Sequence, residues 1–125
     1  MGFFSDLFGT PVPSIDVKEL NKKLVNGEQL HLLDVREPDE FQSGHIQGAR
    51  LLPLGELRRR LNEVPKDSEI ICICASGSRS VAATRALIGA GYHATNVSHG
   101  MMAWQMANLP IAKGMAGGSD RKRQF

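Results

Sequence analysis

The run 74-CASGSR-79 brings a cysteine, a glycine and an arginine together in one short segment. Cys74 ends a stretch of strand formers, 69-EIICIC-74, and a helical pattern starts a few residues later. A helix N-terminus offers unpaired N–H groups and a partial positive charge. Such a setting lowers a cysteine pKa and favours the thiolate, the nucleophilic form. Gly77 can take positive φ, which lets successive N–H groups turn inward as an anion nest. Arg79 adds a fixed positive charge. These features suit a thiolate that becomes a different anion during turnover. The alternative is a small buried side chain before a turn, since free cysteine is commonly a core residue. Cys72, inside the apolar run, fits that alternative. Cys74 fits it less well, because serines, a glycine and an arginine follow at once.

Loop length bears on the chemistry. Four residues separate Cys74 from Arg79. The cysteine-dependent phosphatase loop has the form C-x5-R, with the arginine clamping a bulky phosphoryl group. A loop one residue shorter makes a tighter nest, better matched to a single sulfur. The spacing disfavours a phosphatase or arsenate-reducing relative without excluding it. Cys72 and Cys74 are too close along an extended strand to form a sensible disulfide. With His31, His45, His93 and His99 they show no metal-ligand spacing, so neither a metal nor a cofactor is expected.

The elements that must position this loop alternate along the chain. Residues 16-DVKELNKKLVNG-27 read as a helix with Asp16 as N-cap and Gly27 as C-cap. The runs 30–35, 50–54, 69–74 and 93–98 read as strands, with a very short one at Ser14 and Ile15. Helices are expected near Glu40, over 55–63, 79–91 and 101–108. The 69–74 run is apolar on both faces, as a central strand covered on both sides should be. Alternating strands and helices predict a parallel α/β sheet with helices on both faces. In such sheets, sites form beyond the carboxyl ends of strands, here after Val35, Ile73 and Ser98.

At 125 residues, 42% hydrophobic and 22% charged, the chain reads as one α/β domain. A net charge of +2 does not argue for nucleic acid or a membrane surface. No segment is long and apolar enough to span a bilayer, and the cysteine usage fits a reducing, cytoplasmic compartment. The start, 1-MGFFSDLFG-9, lacks the basic flank of a secretory signal. Phe3, Phe4, Leu7 and Phe8 would share one face of a short helix, packed back on the domain or offered to a protein partner or a second copy. Residues 1–13 are therefore read as an aromatic N-terminal segment, 14–112 as the domain and 113–125 as a flexible basic tail.

Three motifs together resemble the rhodanese-homology domains. The run 34-DVREPDEFQSGHIQGARLLPL-54 looks like their N-terminal signature, 74-CASGSRS-80 matches their active loop C-x-x-G-x-R-S, and 99-HGMMAW-104 with 109-LPI-111 is similar to their closing pattern. The resemblance implies a five-stranded parallel sheet with helices on both faces and sulfur transfer through a cysteine persulfide. It makes Cys74 the carrier, with the loop N–H groups of Ala75, Ser76, Gly77, Ser78, Arg79 and Ser80 stabilising the persulfide. The donor would be thiosulfate or a similar small molecule, and the acceptor a thiol or cyanide. Two departures stand out. Ala75 occupies a position where many thiosulfate-using members carry arginine or lysine, and His99 replaces the first glycine of the closing Gly-Gly pair. His99 is expected near the mouth of the site, as proton donor or anion contact, or as a solvated loop residue. Asp34 and Arg36 are expected to tie the loop down as an ion pair, or to contact substrate. A non-catalytic module that holds an anion or a partner is the competing class.

Overall fold

The computed structural model describes residues 11–115, so Phe3, Phe4, Leu7, Phe8 and the 121-RKR-123 cluster lie outside the described residues. The elements run β1 (Ser14–Ile15), α1 (Val17–Val25), β2 (His31–Asp34), α2 (Pro38–Ser43), β3 (Arg50–Leu51), β4 (Glu69–Ile73), α3 (Ser78–Gly89), β5 (His93–Val97) and α4 (Gly100–Met106). The five strands form one parallel sheet in the order β1-β5-β4-β2-β3, with β4 at its centre. The expected architecture is the observed one.

Strand periodicity explains why β4 can be apolar on both faces from Ile70 to Ile73. Successive side chains alternate between faces. Ile70 and Cys72 pack with Ala83 and Leu87 of α3 and with Leu57, while Ile71 and Ile73 pack with Leu20 of α1, Phe41 of α2 and Trp104 of α4. The sheet thus has a buried core on each face. Cys74 continues the parity of Cys72, so it falls on the α3 face and joins that core.

Local signals account for most boundaries. Asp16 caps α1 by accepting the Glu19 N–H at 2.8 Å. Pro38 sits in the first turn of α2, where its missing N–H costs nothing. Pro53 ends the β3 region sooner than expected. Leu52 still donates to Asp34 O at 2.9 Å and Leu54 to Val35 O at 3.0 Å, but Pro53 has no N–H for a ladder. The expected helix over 55–63 is instead two 3₁₀ segments, Leu54–Glu56 and Arg58–Glu63, with Arg60 off helical geometry at φ −120° and ψ 24°. Only Leu57 is fully buried in this stretch. So short a segment is not stable as an isolated α-helix, and little packing enforces one. Arg60 is held between Glu56 and Glu63, at 2.6 and 2.8 Å.

The 36–49 connection packs as a unit. His45 is buried, stacks on Phe41 at 3.7 Å and contacts the Phe41 carbonyl through Nδ1 at 2.7 Å. Its backbone pairs with Ala112. His45 thus serves as a turn and packing element of this connection. Trp104 is likewise buried, and its indole N–H donates to Pro110 O at 2.8 Å.

Candidate active site

Cys74 lies one residue past β4, and α3 begins four residues later. Gly77 makes the turn at φ +111°. Its N–H donates to Cys74 Sγ at 3.1 Å, and the N–H of Ser80, in the first turn of α3, donates at 3.3 Å. The Ser80 hydroxyl lies 3.3 Å from the same sulfur. Burial pushes the Cys74 thiol pKa up. The Ser80 hydroxyl and the N–H groups of Ser80, Gly77 and Ser76 more than offset this, so the net shift is downward. Cys72 shows the contrast: burial without such a nest pushes it up to about 12. Cys74 is fully buried against the α3-side core, whereas Ser76 and Ser78 of its loop are exposed.

The loop keeps its N–H groups inward because its carbonyls are engaged on the other side. Met101 N–H donates to Cys74 O at 2.8 Å and Met102 N–H to Ala75 O at 2.9 Å. These are orphan donors of the first turn of α4. The approach is so close that a Cβ on Gly100 would sit 2.1 Å from Cys74 O. Gly100 is therefore the residue of the closing pair that sterics require. His99 takes the left-handed conformation at φ 61° with an exposed side chain. Its backbone N lies 3.3 Å from where a Gly77 Cβ would stand, which puts the His99 backbone beside the loop.

Arg79 has a partner that sequence reasoning missed. Its guanidinium grips Glu40 of α2 in a two-pronged contact at 2.8 and 2.9 Å. Glu40 also accepts the Glu37 N–H at 2.9 Å. With the Arg79 hydrogen bond as the main cause, the Glu40 carboxyl falls to about 2. The loop's cation is thus matched by a carboxylate. The only hint in the sequence was an acidic residue inside a run that must return toward the sheet edge.

Asp34 and Arg36 form the expected ion pair, buried at 0% and 5% exposure. Arg36 donates to Asp34 at 2.9 Å from Nε and 2.8 Å from Nη2. It also donates to Gly44 O at 2.8 Å and Glu40 O at 3.2 Å. The pair therefore fixes α2, and α2 presents Glu40 to Arg79. A second missed residue is Asn96 on β5, 4% exposed, whose Oδ1 accepts the Ser80 hydroxyl at 2.5 Å. A lone asparagine among strand formers gave no signal of this. Among the described residues, no cluster of three or more His, Cys, Asp or Glu could hold a metal ion, and no helix is long and apolar enough to cross a membrane.

The chain can be compared with known proteins. The rhodanese-like domain model matches residues 16–107. A sulfurtransferase of Allochromatium vinosum is 37% identical over 101 residues, covering 80% of this chain and 94% of that protein. Thiosulfate sulfurtransferase 18 of Arabidopsis thaliana is 36% identical, covering 80% of this chain and 83% of the plant protein. YrkF of Bacillus subtilis is 39% identical over 74% of this chain, which spans about half, 51%, of that relative. Among solved structures, a rhodanese-related protein from Thermoplasma volcanium superposes with a TM-score of 0.75 at 31% identity, over 80% of this chain and 97% of that one. The family model, the relatives and the parallel five-stranded sheet agree: the chain belongs to the rhodanese-like domain family.

Proposed function

We propose that residues 14–112 form a sulfurtransferase domain in which Cys74 carries sulfane sulfur as a persulfide. The observation that supports this best is the Cys74 sulfur held under converging N–H groups of Gly77 and Ser80 at 3.1 and 3.3 Å. The thiolate attacks the outer sulfur of a donor such as thiosulfate. A new S–S bond forms at Cys74, the donor's own S–S bond breaks, and its electron pair leaves on sulfite. A thiol or cyanide acceptor then attacks the outer sulfur of the persulfide and returns the Cys74 thiolate. This is covalent catalysis that divides one transfer into two easier steps. In this reading the N–H groups of the 75–80 loop stabilise the charge as it moves outward, the role of an oxyanion hole. The names of the Allochromatium and Arabidopsis relatives are consistent with this reaction.

Ala75 brings no charge to the loop, and Arg79 is paired with Glu40. Thiosulfate is therefore a usable but weakly held donor in this reading. Intact-mass measurement after incubation with thiosulfate tests the proposal. The protein is expected to gain the mass of one sulfur, to lose it on adding cyanide, and to show no gain as Cys74→Ser. Turnover of p-nitrophenyl phosphate with no adduct from any sulfur donor would sink the reading.

A further inference from the structure

The Ser80 hydroxyl has one proton and three candidate acceptors. They are Asn96 Oδ1 at 2.5 Å, Gly77 O at 3.2 Å and Cys74 Sγ at 3.3 Å. Ser80 and Cys74 are fully buried and Asn96 nearly so, which makes an unsatisfied donor or acceptor there costly. The orientation of the Asn96 amide follows from its other neighbour. The Ser14 hydroxyl gives its proton to Val12 O at 3.3 Å, so its oxygen accepts from Asn96 Nδ2 at 3.2 Å. That turns Oδ1 toward Ser80.

We propose that Asn96 is a positioning residue that sets the balance between thiol and thiolate at Cys74 by competing for the single hydroxyl proton of Ser80. In the neutral state the donors run in one direction: Cys74 S–H to Ser80 Oγ, and Ser80 O–H to Asn96 Oδ1. When Cys74 loses its proton to solvent, the Ser80 O–H turns to Sγ, and Asn96 Oδ1 loses its donor. When sulfur is taken up, the negative charge moves to the outer sulfur and Sγ becomes neutral. The hydroxyl then swings back to Asn96. No bond to oxygen is broken in this cycle; the O–H only rotates, following the charge. In the unloaded state the N–H groups of Gly77 and Ser80 also donate to Sγ.

The inference rests on Cys74 being the reacting thiol, but its readout does not need turnover. The titratable and charged groups around Cys74 are Cys72 on β4, Arg79 on α3 with Glu40 on α2, Asp34 and Arg36 beside the end of β4, and His99 before α4. None of them is altered by the test. The ultraviolet absorbance of the thiolate is titrated against pH in the full chain, with Cys74→Ser as the blank. Removing the competing acceptor with Asn96→Leu is expected to lower the Cys74 midpoint by about one pH unit. Ser80→Ala is expected to raise it. In the Ser80→Ala background, Asn96→Leu should cause no further shift. An unmoved or raised midpoint in Asn96→Leu, or an equal shift without Ser80, overturns the proposal. If circular dichroism shows that Asn96→Leu does not fold, Asn96→Asp takes its place. Its stronger acceptor should raise the midpoint, and by less in the Ser80→Ala background; no rise, or an equal rise in both, overturns the proposal. A protein that transfers no sulfur yet titrates as described leaves this inference standing.

Discussion

Arg79 and Glu40 show how one side chain changes the meaning of another. An arginine five residues after a reactive cysteine reads as an anion clamp, yet its fork is filled by a carboxylate at 2.8 and 2.9 Å. Glu40→Gln removes that countercharge. With a dianionic donor such as thiosulfate, KM is expected to fall about fivefold with a smaller change in kcat, the equivalent of ~1 kcal/mol of recovered attraction. Steady-state kinetics with thiosulfate and cyanide check this. The same substitution has a pH signature. The Glu40 pKa is lowered to about 2, so its contribution to stability is present above the ordinary carboxylate range and is lost as pH falls toward 2. For a partly exposed pair that contribution is on the order of 1 kcal/mol. Denaturant melts at pH 7 and pH 3 should therefore differ less in Glu40→Gln than in the parent protein.

The decisive element contact is α4 against the loop after β4. Two N–H groups of the α4 first turn hold the carbonyls of Cys74 and Ala75, which leaves the loop N–H groups free to face the sulfur. Gly100→Ala would drive a Cβ to 2.1 Å from Cys74 O. It should destabilise the protein by about 3 kcal/mol or more and abolish sulfur loading, read by denaturant melts and intact mass. His99→Gly is the informative counterpart. A left-handed φ of 61° strains any side chain but suits glycine. The substitution is expected to stabilise by about 1 kcal/mol. Unchanged kcat in this variant would make the His99 side chain a bystander, whereas a tenfold or larger loss would give it a part in the transfer.

Across the molecule, the buried Asp34–Arg36 pair links the sheet to the site. Arg36 ties Asp34 at the end of β2 to the carbonyls of Glu40 and Gly44, so the position of α2 depends on it. Arg36→Met leaves the Asp34 carboxylate buried without its partner. The expected cost is about 3–5 kcal/mol, measured by urea unfolding. Replacing both as Asp34→Asn with Arg36→Met should cost less than Arg36→Met alone, because no uncompensated charge remains. Sulfur loading should weaken in step with the loss of α2 placement, even though neither side chain hydrogen-bonds to Cys74.

The local signals are legible in the sequence. The apolar run 69–74 marked the central strand, Gly77 marked the turn, and the order of small residues after Cys74 marked the loop. These follow from chain geometry over a few residues, which sequence records directly. The helix expected over 55–63 gives way to 3₁₀ turns because Leu57 and Leu61 are too few packed side chains to enforce an α-helix. Glu40, Asn96 and Gly100 were not legible as site residues. Each reaches the 74–80 loop from a different element, and their spacing along the chain says nothing about that meeting. That Cys74 ends a central strand just before a helix follows from the chain's own residue order. That Arg79 meets Glu40, that Ser80 has competing acceptors and that α4 braces the loop follow only from tertiary packing. Those are contacts between side chains and backbone groups far apart in the chain, and close packing alone brings them together.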